Sequence, residues 1–469
     1  MLLVWLLAAC VLVVCVLAVG CGGVRPGPAD PVGADAIVAY FNERAEAVPE
    51  NERAAGRYRE AMDGFNDLVF KAEILDRTPG ARNIVLPGDE VFPDAKRFVE
   101  DRAAMIDAIR AAALMRLAIT IPTDTAAYQA LRSRGLVMSE IYGKSLELRS
   151  KLRFAGELLL LDAWIAAANG DADRAAANLV AATALAEQAA AFRLEFAFLM
   201  PSNVFERWAD SVAAVLSVYP ELLSAEQLEP LQAACEAMET WPAVRGALRD
   251  AHLIFHAQHA PSRAVVPGDV LAEADIAAIA ARPLEGTRVE LHEIMTARVM
   301  EALKPSPIDT AALRRWRHES WTERLEQASA ETTSERGYPI YLTGAYTNTL
   351  YWEADRRATI IGLAAHRYHL ANGRFPASQA ELVSAGLLEA ELDAIFGPGV
   401  LGVAPHEEGV MVYDPGPDGR DNGRDDGGQR LYGVRDLIAW MNDEMGVPPG
   451  DYLLWSSARS HALRDLDGE

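Results

Sequence analysis

The chain has 469 residues, of which 51% are hydrophobic and 24% charged, and a formal net charge of −23. These values exclude a disordered polymer and leave room for about two to four domains with cores of their own. They also exclude a nucleic-acid partner, which needs a clustered basic surface, so the acidity reads as solubility and self-repulsion.

Residues 1–20 are an unbroken apolar run, about long enough to cross a bilayer as a helix. Two readings of residues 1–22 stay open. One is an uncleaved transmembrane anchor. The other is a lipoprotein signal, with Ala18-Val19-Gly20-Cys21 as an imperfect lipobox and Cys21 acylated. Leu7-Ala8-Ala9-Cys10 fits a lipobox better, but further apolar residues follow it. Residues 23–34 then read as a linker. Either way the bulk of the chain is expected to be exported to the periplasmic side and tethered to the cell membrane. Of the four cysteines only Cys235 lies outside this segment, so neither a disulfide framework nor a cysteine zinc site is expected.

From residue 35 to about 345 the apolar spacing is helical, and the fold class expected is mainly α, a multi-helix body of αα-hairpins. In residues 101–119, Met105, Ile106, Ile109 and Ala113 share one face. Residues 157–190 read as a helical hairpin turning at Asn169-Gly170-Asp171, tetratricopeptide-like at most locally, since no second copy follows at that period. Ser224 and Gln227 form a capping-box pair, and Cys235 reads as a small packed residue in the helix they open. Prolines at 261–269, 304–309 and Gly337-Tyr338-Pro339 predict helix breaks, the last giving a domain boundary near 345.

The C-terminal part, residues 346–445, reads as a small α+β domain, followed by a tail at 446–469 of no evident role. Residues 349–370 have helical spacing, with Leu350, Ala354, Ala358, Ile361 and Ala365 on one side. Asn372-Gly373 stops that helix, and Ser378 with Glu381 reads as a second capping box. Val410 to Tyr413 are β-prone and run directly into DPGPDGRDNGRDDGG.

This order of helix, NGRFP turn, short helix, strand and Asp/Gly segment resembles the globular domain of the type II secretion major pseudopilin, over about a fifth of the chain. The resemblance implies one calcium ion, held near Asp418 of GPDG, Asp425 or Asp426, and Asp436 of VRDLI, with Asp421 as a spare candidate. Flexible six- to eight-fold oxygen coordination suits closely spaced Asp and Gly, although the EF-hand pattern is not met. The competing reading is a solvated acidic turn. The chain departs from the family in three ways. Its apolar segment lies over three hundred residues upstream, it lacks the basic leader and the fifth-position Glu, and Ala394-Ile395-Phe396-Gly397 replaces the aspartate-proline-tryptophan-glycine turn. A reused module is therefore expected, rather than a pilus subunit.

Among catalytic constellations, His252, His256 and His259 fall on one helical face and form a candidate imidazole set for a helical metalloenzyme. No positioned general base completes it. His292-Glu293 lacks the second His of the zinc-protease motif. His366 and His369 read as surface residues beside Arg367. Gly397, Gly399 and Gly402 spell a glycine fingerprint with no helix behind it. The reading favoured is a non-enzymatic scaffold or interaction component of the envelope or of a secretion-type assembly, with other envelope proteins as partners.

Overall fold

The computed structural model describes residues 31–78, 84–118, 121, 123–133, 137–191, 199–259, 273–283, 288–303, 337–396, 399–406, 409–415 and 452–457. It is mainly helical with one small sheet. The helices are α1 (Pro31–Glu46), α2 (Ala54–Ala61), α3 (Asp67–Glu73), α4 (Phe92–Glu100), α5 (Ala103–Ala113), α6 (Ala126–Ser133), α7 (Val137–Ala168), α8 (Ala172–Ala191) and α9 (Leu199–Val218). They continue with α10 (Ala225–Ala237), α11 (Thr240–His259), α12 (Glu273–Ala280), α13 (Arg288–Ala302), α14 (Gly337–Asn372) and α15 (Gln379–Ser384). Strands β1 (Gly402–His406), β2 (Gly409–Asp414) and β3 (Tyr452–Ser456) form an antiparallel sheet in that order.

The chain divides into two compact units that do not follow chain order. The first comprises Met1–Glu43, Ile121–Tyr142 and Arg245–Thr347; the second comprises Arg44–Thr120, Gly143–Val244 and Asn348–Glu469. Residues 348–469 thus share a unit with much of the helical body.

In the first unit α12 packs on α13. Arg298 of α13 donates to the carbonyls of Ala280 (2.9 Å) and Arg282 (2.6 Å), satisfying acceptors that the end of α12 leaves open. Asn42 clasps Ile121 in both directions, donating to its carbonyl at 2.9 Å and accepting from its amide at 2.7 Å.

In the second unit the predicted αα-hairpin is present as α7 and α8. Gly170 takes a left-handed φ of 75°, and the Asp171 amide closes back on the Ala166 carbonyl at 2.9 Å. Small residues let the two helices approach, and Ala163, Ala175, Leu179 and Ala182 are all buried. Ile106, Ile109 and Ala113 of α5 are buried as their spacing predicts, with Met105 at the margin. Several polar groups inside this core are paired. Asp162 of α7 accepts from Asn178 (2.7 Å), Arg174 (2.9 Å) and Arg110 (3.3 Å), and the Trp208 indole donates to the Leu179 carbonyl at 2.9 Å. The Ser224–Gln227 capping box forms at the start of α10, and Cys235 is fully buried within it.

Helix α14 begins at Gly337, upstream of the start that spacing suggested. Pro339 lies in its first turn, where a missing backbone donor costs nothing, so the Gly-Tyr-Pro break is a helix start. Its predicted apolar face, Leu350, Ala354, Ala358, Ile361 and Ala365, is buried. One carboxylate on this helix, Glu353, is only 2% exposed. It accepts from Arg356 Nε (2.8 Å) and Nη2 (2.9 Å), from Arg357 Nε (2.7 Å) and from the Thr240 hydroxyl (2.6 Å). Each arginine also reaches outward: Arg356 donates to the Cys235 carbonyl near the end of α10 (2.9 Å), and Arg357 to the Asp393 carbonyl (2.8 Å). A second tie runs from Arg367 to Gln232 (2.9 Å), whose own amide donates to the Leu387 carbonyl at 2.7 Å.

The sheet closes this end of the unit. Residues read as a C-terminal tail supply β3, whose Trp455 lies against α14 at Gly362. A Cβ on Gly362 would sit 2.5 Å from the indole, so only a bare backbone admits the ring. On the sheet, the Tyr413 ring covers Gly402, its register partner on β1.

Burial raises the Glu353 carboxyl, but the hydrogen bonds and charges of Arg356 and Arg357 outweigh it, and the net position is below the ordinary value of 4.5. A depressed carboxyl stabilises fully above its unfolded value and loses that contribution as pH falls. Glu353→Gln is expected to cost about 3–5 kcal/mol at neutral pH, by leaving buried guanidinium charge uncompensated. The difference from the parent protein should shrink below about pH 4.5. Urea unfolding at several pH values measures both.

Candidate functional site

The segment that carries the candidate calcium ligands leaves the sheet after β2 and returns at β3. Asp414 and Tyr452 are paired in register, so the two ends of the excursion are neighbours. Asp418, Asp421, Asp425, Asp426 and Asp436 lie outside the described residues, as does Cys21. What the structure describes is the foot on which that segment stands.

Asp414 is the principal polar group of the foot and is fully buried. Its Oδ2 accepts from the amides of Ile395 (2.7 Å) and Phe396 (3.0 Å), two successive donors converging on one anion. The segment that offers those amides is held by Gln379 at the start of α15. That side chain accepts from the Leu392 amide (2.8 Å) and donates to the carbonyls of Leu392 (3.1 Å) and Leu401 (2.7 Å). Ala394 closes the turn with a bond to the Gly399 carbonyl at 2.9 Å, and Gly399 has a φ of 97°. Ile395 and Phe396 thus supply the amide cradle of Asp414.

The exit side of the foot is fixed at Ser457. Its amide donates to the Val410 carbonyl (3.0 Å), its hydroxyl oxygen accepts from the Val410 amide (3.1 Å), and His366 Nε2 lies 2.8 Å from that oxygen. His366 is 1% exposed, which corrects its reading as a surface residue. It shares a helix face with Ala365 and Gly362, and β3, from the stretch read as a tail of no evident role, covers that face. His369, one turn on, is half-buried and stacks on Phe375 with ring centroids 4.3 Å apart.

The turn before α15 departs from expectation. Ser378 occupies the N-cap without a side-chain bond, and Glu381 does not close a capping box. Glu381 instead accepts from Arg374 (2.8 Å) and the Tyr368 hydroxyl (3.0 Å), since a guanidinium is a stronger partner than a neutral amide. Gly373, at a φ of 69°, ends α14 where Asn372-Gly373 predicted.

Two other clusters bear on chemistry. Half-buried Asp355 is pushed well above the ordinary carboxylate range, first by burial and then by the neighbouring charges of Glu206 and Asp210 on α9. Among the described residues no group of three or more His, Cys, Asp or Glu side chains is arranged to hold a metal ion. His252, His256 and His259 all lie on α11, as their spacing predicts. His252, however, is fully buried and its ring lies flat on His292 of α13, centroids 4.7 Å apart and planes 15° from parallel. Parallel rings at that separation present faces to each other, whereas shared ligation needs two nitrogen lone pairs aimed at one point.

Asp414 and Ser457 escaped the sequence reading. The signal for Asp414 was its place at the last position of a β-prone run immediately before Pro415, where a carboxylate can fold back on nearby amides. For Ser457 there was none.

Comparison with protein-family models, with curated proteins and with solved structures finds no significant match.

Asp414→Ala should remove the anion from two buried amides and cost about 2–4 kcal/mol, on the scale of about 1–3 kcal/mol for each donor left unsatisfied. Asp414→Asn keeps an acceptor oxygen and should lose less. Denaturant melts of both variants provide the check, and equal losses would mean that the carboxylate acts through something other than these amides.

Proposed function

We propose that this chain is a membrane-tethered extracytoplasmic protein. Its helical body serves as an interaction scaffold for envelope or secretion-type partners, and its C-terminal part is a pseudopilin-like module locked by calcium. The observation that carries the reading is the foot described above. A segment rich in Asp and Gly is strung between two paired strand ends, with a buried carboxylate fixing one side. The order of long helix, NGRFP turn, short helix, antiparallel strands, Asp/Gly segment and closing strand supports the resemblance drawn from residues 368–383 and 410–428.

Asp418, Asp425 or Asp426, and Asp436 are the ligands assigned to the ion, with Asp421 in reserve. Calcium suits them because it accepts carboxylate and carbonyl oxygens in flexible geometry, and because it relieves the repulsion of closely spaced aspartates. The tether is assigned to residues 1–22, as a transmembrane anchor or through an acylated Cys21. Among the described residues no helix is long and apolar enough to cross a membrane. The net charge of −23 argues against a nucleic-acid role.

Elemental analysis with a chelator titration tests the proposal. One bound calcium is expected, and its removal should lower the unfolding free energy by about 2–3 kcal/mol when the ion had been present at roughly a hundred times its dissociation constant. Magnesium should not restore the loss, and Asp418→Asn should abolish the calcium effect. The calcium assignment fails if chelation leaves the melting curve unchanged, which would make the segment a solvated acidic turn. Stoichiometric zinc or iron that disappears in His256→Ala would overturn the non-enzymatic reading.

A further inference from the structure

The contact between β3 and α14 is built around a titratable group. His366 sits at the centre, with Ser457 2.8 Å from its Nε2. The rings of Phe375 and Trp455 stand nearly edge-on to it, at centroid distances of 5.0 and 6.1 Å. The Ser457 oxygen already accepts from the Val410 amide. Toward a neutral imidazole the hydroxyl serves as donor or acceptor, whichever the tautomer requires. An imidazolium loses that choice: it can only donate, to an oxygen another donor already engages, and its charge sits in a pocket walled by two aromatic rings. Little room exists for adjustment: a Cβ on Gly409 would meet the Ser457 backbone and hydroxyl at 2.7 Å, and one on Gly362 would meet the Trp455 ring at 2.5 Å.

We propose that His366 and Ser457 form an acid-released clasp, which holds β3 on α14 while the imidazole is neutral and lets the strand go when the imidazole is protonated.

Among the described residues, burial and His369 are what act on a charge at this position, and both oppose it. On its own helix the titratable neighbour is His369, which repels a second cation. The turn contributes Phe375, β3 contributes Trp455, the residue after β3 is Ser457, and β2 contributes the Val410 amide, none of them charged. Burial, followed by the nearby His369, pushes the His366 pKa from 6.5 down to about 3. The sign follows from linkage. Between these values the undocked imidazole binds a proton that the docked one refuses, so docking is fully favoured above pH 6.5 and weakens as pH falls toward 3. Across that window the undocking equilibrium rises by about tenfold per pH unit. Release therefore comes well above the docked pKa, at whatever pH this gain matches the strand's own docking energy. Trp455 adds to the bias, because its indole N–H is buried without a hydrogen-bond partner among the described residues.

Hydrogen exchange read by mass spectrometry on the full chain tests the clasp, with rates corrected for their intrinsic pH dependence. Peptides covering β2 and β3 should lose protection by about tenfold per unit below about pH 6.5, while α8 in the same unit holds. His366→Gln, which keeps an acceptor for the Ser457 hydroxyl but cannot titrate, should abolish that selective loss. If this variant does not fold, nitrogen-15 histidine spectra of the unmodified protein decide instead: the His366 ring should stay neutral for as long as β3 remains protected. Parallel loss in β3 and α8, a selective loss that survives in His366→Gln, or a His366 ring that protonates near pH 6.5 with β3 still protected would each overturn the proposal.

Discussion

A carboxylate with almost no access to water, Glu353, sets the directions in which the second unit is built. Burial of a lone carboxylate is prohibitive, and here the cost is met by two guanidinium groups and a hydroxyl aimed at its two oxygens. Arginine is required on geometric grounds. Its fork leaves spare N–H groups, and Arg356 and Arg357 use them to reach the Cys235 and Asp393 carbonyls. Three stretches of chain distant in sequence thus meet around one anion and its two arginines: the joint from α10 to the first residue of α11, the middle of α14 and the turn that cradles Asp414. Shape and apolar burial bring these pieces together. The carboxylate decides their register, because no sliding of α14 preserves all the bonds at once.

Much of this fold could be read from local pattern, and what could not was lost for a common reason. The αα-hairpin, the capping box at Ser224, the apolar face of α14 and its stop at Gly373 are decided by residues within a few positions of one another. Strand β2 likewise announced itself through Val410, Met411 and Val412. The Glu353 hub joins residues 113 positions apart, and His366 and Ser457 are 91 apart. No spacing rule links such pairs. Ser378 and Glu381 make the complementary case. The local rule was present, but Arg374 and Tyr368 offered Glu381 stronger partners.

Histidine shows how periodicity informs and misleads at once. Spacings of four and three do put His252, His256 and His259 along one helix, yet period cannot tell which side of a helix another element will cover. At His252 that element is α13, which brings His292 face to face with it. At His366 it is β3. A single imidazole near a neutral core reads in sequence as a surface residue, because the strand that buries it lies 86 positions downstream at its start and carries no signal except Trp455 and its neighbours.

The meeting of Gly362 and Trp455 has a consequence for how such a chain can change over generations. Neither position can drift alone. A side chain gained on the helix drives into the indole, and an indole lost from the strand exposes a helical glycine whose flexibility then has no compensation. Gly402 with Tyr413 repeats the arrangement on the sheet. Descendants of this chain should therefore exchange these residues in pairs. Such paired exchange is a signature by which distant relatives can be recognised after the surrounding residues have diverged.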